Sequence, residues 1–218
     1  MPALSNALTL TDLITRERLR IRETDSTMSY YTNTNLRALT NDALNFISGF
    51  GIGTVQTEKI VGIAGQYDYD LPTDYINWLS VIIPNYEDTL ATLIYVEPEY
   101  FGRSWTGPKD AAAIPKEFTI YGDTIISVSP PYNYGGDTIY LKYVAAPAAL
   151  DKATDTCELN YVYQLLIVDY IWAEYQAKDG NVDLYNAVMD GILRRIEQYK
   201  KLVNLRQSQP AKIEEIQQ

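Results

Sequence analysis

The sequence has no histidine, a single cysteine (Cys157) and only four phenylalanines. Without histidine there is no Ser-His or Cys-His nucleophile pair, no imidazole general base and no histidine-ligated zinc. One cysteine excludes an internal disulfide, so the fold does not require an oxidising compartment. Long apolar runs are missing too. The best stretch, Leu165 to Ala173, is interrupted by Asp169 and falls well short of the roughly 18 residues that span a bilayer. Residues 1–10 carry no basic segment followed by an apolar core, so the expectation is a soluble intracellular product with no membrane contact. Positive charge is scarce: 18 Lys and Arg stand against 28 Asp and Glu, a formal charge of −10. Such a chain has no net attraction for a phosphate backbone. It remains compatible with a passage that DNA slides through without sticking.

What is present is globular. At 218 residues, 46% hydrophobic and 21% charged, the chain is long enough for one generous domain or two small ones. Leu10, Leu13, Ile14 and Ile21 form a helical stripe, and Thr9 with Asp12 has the spacing of a capping box. A second helix is read through Leu36, Leu39, Ala43, Phe46, Ile47 and Phe50, with Thr34 as its cap and Gly49 or Gly51 as its stop. From about Thr54 to Ala149 the period changes to two. Strands are expected at Tyr67 to Leu71, Tyr75 to Ile83, Leu90 to Val96, Phe118 to Ile120, Thr124 to Val128 and Ile139 to Tyr143. Gly122-Asp123 reads as a two-residue hairpin turn, and Glu97 to Trp105 as a short helix. After Pro147 the helical period returns, first as a segment from Leu159 that is apolar on more than one face and ends at Gly180. A long stripe then runs through Leu184, Val188, Ile192, Ile196, Tyr199 and Val203.

The expected fold class is therefore α+β, a four-helix bundle built from the N- and C-terminal helix pairs with an inserted antiparallel β-sheet or sandwich. The expected domains are residues 1–53 with 150–206 (helical), 54–149 (inserted β) and 207–218 (an extended C-terminal tail).

The candidate chemistry is thin. Asp179-Gly180-Asn181-Val182-Asp183 has the alternating oxygens of a calcium loop, but Leu184 stands where the turn-making glycine belongs and Asp190 where a bidentate Glu belongs. A helix–turn–helix with an Asn cap is the better reading. Gly49 to Gly53 follows a helix, lacks Gly-Lys-Ser/Thr and reads as a helix stop instead of a phosphate loop. Asp68 and Asp70 share a strand face, and Glu97 and Glu99 flank Pro98 without a second feature that would mark a glycosidase pair. Asp169 lies on the buried side of the third helix, where Arg194 or Arg195 can pair with it as a structural ion pair. Cys157 has no base beside it and reads as packing. No catalytic residue, metal ligand or cofactor site is expected. The 19 tyrosines either replace Phe on half-buried strands or supply surface buried against other chains.

Several pieces in order resemble the head-to-tail adaptor (connector) proteins of tailed bacteriophages. They are Leu10-Thr11-Asp12-Leu13-Ile14-Thr15-Arg16 with Arg18-Leu19-Arg20, and Leu36 with Asn41-Asp42-Ala43-Leu44. They continue with Gln66-Tyr67-Asp68-Tyr69-Asp70-Leu71-Pro72-Thr73-Asp74-Tyr75, Ile125 to Pro131, Tyr140-Leu141-Lys142-Tyr143 leading to Ala146-Pro147, and the closing helical pair. The resemblance covers roughly residues 8 to 205 and is nearest the short-tailed phage type. It implies a non-enzymatic virion protein assembled in the host cytoplasm. Such a protein forms a ring, typically of twelve copies, that docks under the portal, extends the DNA channel and carries tail or nozzle proteins. The C-terminal segment would reach the portal, which points to Leu202, Leu205, Ile213 and Ile216 as docking residues. Double-stranded DNA would pass without specific binding. Two other readings remain: a tail-associated peptidoglycan hydrolase, for which no catalytic residue maps here, and a β-sandwich ligand-binding module.

Overall fold

The computed structural model describes residues 7–22, 31–84, 90–103, 113–132, 136 and 138–207, the last six as backbone only. Chain contacts divide the protein into a discontinuous helical unit, residues 1–50 with 149–218, and a continuous β unit, residues 51–148.

The helical unit holds α1 (Leu10–Ile21), α2 (Asn33–Ser48), α3 (Tyr161–Lys178) and α4 (Val182–Gln207). Thr9 opens α1 with a full capping box: its hydroxyl accepts from the Asp12 N–H, and the Asp12 carboxylate accepts from the Thr9 N–H. Those bonds hold the Asp12 carboxyl below the usual range. The cap of α2 is Thr32, not Thr34; Thr34 already has helical geometry and Thr32 accepts from the Asn35 N–H. The third helix starts at Tyr161 on an Asn160 cap, two residues beyond Leu159. α3 is apolar on several sides because α1, α2 and α4 all pack on it, with Leu166, Ile167 and Ile171 among its buried residues. α4 turns Ile192 and Ile196 inward, while Leu184 at the head of its stripe stays 43% exposed.

The two stretches of chain that make this unit are joined by polar bonds. The Gln164 side chain is buried; its carbonyl accepts from the Leu8 N–H (2.9 Å), and its amide donates to the carbonyls of Cys157 (3.2 Å) and Leu159 (2.6 Å). Asn41 makes a two-way bond to the backbone of Leu150, and Thr9 bridges to Thr156.

The β unit has eight strands where the alternation suggested about six: β1 (Thr54–Val61), β2 (Asp68–Asp70), β3 (Tyr75–Pro84), β4 (Leu90–Thr92), β5 (Ile94–Tyr95), β6 (Glu117–Tyr121), β7 (Ile125–Ser129) and β8 (Thr138–Ala145). They form two four-stranded sheets, β1-β8-β3-β4 (sheet 1) and β2-β7-β6-β5 (sheet 2). Their inner faces share one core that includes Val81, Ile83, Phe118, Ile126, Val128, Ile139 and Leu141. Leu93, buried in that core, splits the expected Leu90–Val96 strand into β4 and β5, one for each sheet. The β5–β6 pair is parallel, so the sheets are antiparallel-rich and not wholly antiparallel. The β6–β7 turn has three residues, since Tyr121 pairs with Ile125, and Gly122 supplies the left-handed conformation at φ +58°. The stretch from Glu97 to Arg103 forms turns, not a helix; Trp105 lies outside the described residues.

Glycine is obligatory at Gly53. A Cβ there would meet the Ala145 carbonyl oxygen at 2.0 Å, where β1 leaves the linker and closes on β8. Gly53→Ala is expected to destabilise the β unit by about 2 kcal/mol or more, read as a lower denaturant midpoint. Gln164→Leu strands the buried carbonyls of Cys157 and Leu159 and the part-buried N–H of Leu8 and is expected to cost the helical unit about 3 kcal/mol, measured by the loss of helical circular dichroism in urea.

Candidate functional site

In the helical unit the charged and aromatic residues gather along α3. Asp169 sits between two arginines, with Arg195 Nη1 of α4 at 2.7 Å and Arg20 Nη2 of α1 at 3.4 Å. Of the expected Arg194 or Arg195, Arg195 makes the pair and Arg194 is exposed; Arg20, 149 residues away in the chain, is the partner the sequence did not single out. The Asp169 side chain is 18% exposed, against 51% and 39% for Arg20 and Arg195. Asp169 is therefore half-buried and its pairs are partly screened, which limits each to about 1 kcal/mol or less. Arg20 also lies over Trp172, at 5.5 Å, and Trp172 stacks on Tyr175.

A second ionisable group was missed altogether. Glu17 of α1 is fully buried, and its only described partner is the Thr40 hydroxyl of α2 at 3.0 Å from Oε1. That hydroxyl also lies 2.7 Å from the Leu36 carbonyl. It has one proton, so when it donates to Leu36 its oxygen is left to accept from a protonated Glu17. Burial raises the Glu17 carboxyl to about 8, and Oε2 has no hydrogen-bond partner. Glu17 stands four residues after Leu13 and four before Ile21, on the apolar stripe of α1 itself, and that spacing is the signal of its burial.

α4 carries the remaining expectations. Its 26 residues span about 39 Å. Tyr199 packs edge-on against Tyr163 near the start of α3, 5.8 Å between ring centres. Residues 200–207 therefore continue for about 12 Å beyond that contact. Lys200 donates to the Phe50 carbonyl at 2.5 Å. Leu202 and Leu205 lie on this part of the helix, where only the backbone is described; Ile213 and Ile216 lie outside the described residues.

The other candidates resolve into structure. α4 begins at Val182 and runs through Asp190, which leaves no calcium loop between Asp179 and Asp190. Asp68 and Asp70 are both exposed on β2, with Tyr69 between them in the core, and the Ser127 hydroxyl donates to Asp68. Glu97 accepts from the Tyr95 hydroxyl at 3.3 Å, and Glu99 is exposed. Among the described residues, no group of acids, Cys or His is arranged to hold a metal ion, and no helix is long and apolar enough to cross a membrane. Cys157 is buried, and burial pushes its thiol up to about 11. Several tyrosines act as core residues with tethered hydroxyls: Tyr143 donates to Asp74, and Tyr69 holds the backbone at Ile63 and Gln66. Tyr100 and Tyr121 remain exposed.

A family model for the SU10 adaptor protein matches residues 8–212. The chain belongs to the SU10 adaptor protein family. It is a structural adaptor of a bacteriophage and a virion component. No curated protein matches the adaptor.

Glu17 gives the adaptor a pH signature. A carboxyl whose folded value is raised from 4.5 to about 8 contributes most below pH 4.5, and stability falls as pH rises through about 8. The whole loss is of the order of 5 kcal/mol at most. Glu17→Gln, whose amide can donate to Thr40, is expected to remove that decline, measured as chemical-denaturation midpoints from pH 5 to 9. An equally steep decline in the variant would refute the assignment.

Proposed function

We propose that the adaptor is the subunit of a ring of twelve copies that docks beneath the portal at the head–tail junction. The ring extends the DNA channel and offers the attachment surface for tail or nozzle proteins, as in short-tailed phages. The observation that carries the reading is the family match over residues 8–212. The C-terminal end of α4, which runs to Gln207, together with residues 208–218 is the segment assigned to the portal. Leu202, Leu205, Ile213 and Ile216 are its apolar anchors for the portal.

In this reading the four helices act as one bundle that stacks with sister copies in the ring, and the β unit supplies the tail-side surface. Residues 1–53 with 150–206, 54–149 and 207–218 are its working parts: scaffold, appendage and arm. Assembly takes place in the host cytoplasm. Twelve copies at −10 each carry on the order of −120 per ring, and acidic faces along the bore keep double-stranded DNA from adhering. The Asp169–Arg195 and Asp169–Arg20 pairs serve structure in this scheme. No catalytic group is assigned, and neither a hydrolase nor a ligand-binding reading has a specific observation in its favour.

A chain truncated after Arg206 and mixed with purified portal is expected to lose docking, while the full chain forms a ring with a central hole in electron micrographs. Undiminished binding by the truncated chain overturns the assignment of the arm.

A further inference from the structure

The two sheets differ in what covers their outer faces. On sheet 2 the outward Thr119, Ser127 and Ser129 are buried; Phe101 lies against Tyr121, and Gly102 is next to the Ser129 hydroxyl. The turn at Glu97–Arg103 thus folds back as a cover. Sheet 1 has no such cover among the described residues. Val55 and Val61 are 57% and 61% exposed, Leu90 is 67% exposed, and Lys59 and Lys142 are exposed between them. The strand registers put all five on the same face.

That face carries no carboxylate among the described residues of its four strands. Glu58 is out of phase with it, paired with Leu141 on the core side. Yet residues 51–148 hold twelve acids against five bases. Lys59 stands opposite Tyr140 and Lys142 opposite Thr57, which makes the two lysines diagonal neighbours about 7–8 Å apart. The same unit exposes a matching pair elsewhere. Asp68 and Asp70 are both exposed two residues apart on β2, about 6.6 Å along the strand, with Asp68 held by the Ser127 hydroxyl.

We propose that the outer face of sheet 1 seats a second copy of this chain, which presents Asp68 and Asp70 of its β2 to Lys59 and Lys142. The valines and Leu90 close around the charges and exclude water. Stacking this face on its own image would bring four lysines together with no acid, so the contact is head-to-tail, and repetition closes a ring or continues as a filament. The four strands, of eight, eight, ten and three residues, make about 96 Å of strand in all and at about 4.8 Å spacing offer roughly 450 Å². That is about half of what a stable interface buries on each partner. Copies therefore associate weakly until a second attachment holds them. For that attachment alone the inference rests on the proposed portal docking.

Cross-linking captures a weak contact. A Lys59→Cys chain mixed with an Asp70→Cys chain under mild oxidation is expected to form a heterodisulfide at least tenfold faster than Lys59→Cys with Glu197→Cys on α4. The buried Cys157 does not compete. Adding Lys142→Glu to the first chain is expected to abolish the excess, and adding Asp68→Lys to the second to restore it. No excess over the α4 control, or a rate indifferent to charge reversal, overturns the proposal. Cross-linking without portal docking removes the portal reading alone; docking without the cross-link removes this inference alone.

Discussion

The helical unit exists because two stretches of chain separated by about a hundred residues are tied at their backbones. Gln164 is the centre of that tie. Its buried amide satisfies one N–H from the first stretch and two carbonyls from the second, and each is a group that would cost about 1–3 kcal/mol if left bare. The Asn41–Leu150 bonds and the Thr9–Thr156 bridge repeat the device between the same two stretches. With these bonds made, α1 and α2 meet α3 in a fixed setting. Asp169 then falls between Arg20 and Arg195, and Glu17 is shut in with Thr40. The acid pairs follow from the closure and do not cause it.

The β unit is continuous, begins and ends within a few residues of the tied segments, and has its own core between two sheets. Its start is constrained at one glycine, Gly53, where β1 closes on the β8 backbone. Because each unit has its own core, a substitution inside one leaves the packing of the other unchanged.

Much of this was legible in one dimension. The capping box at Thr9–Asp12, the helical stripe of α1, the two long C-terminal helices and the alternation of β3, β6 and β8 are local signals, and local signals survive without a partner. β1 was not picked out because most of its residues are exposed on both sides, so it has no apolar alternation to read. The split into β4 and β5 and the parallel β5–β6 pair depend on Leu93 passing through the core from one sheet to the other. Thr32 was passed over as a cap because Thr34 has the same side chain two residues on, and only the backbone turn distinguishes them.

Composition alone determined what chemistry this chain lacks: no imidazole, no disulfide, no surplus of cations. The order of its motifs carried its family. Tertiary structure decided what those residues are near. It made Glu17 a buried acid instead of a surface one and chose Arg20 and Arg195 over Arg194. It also left one sheet face free of carboxylates in the most acidic part of the molecule. The physical reason is that residue identity sets which groups can ionise or pack, whereas burial and pairing depend on elements that are distant in sequence.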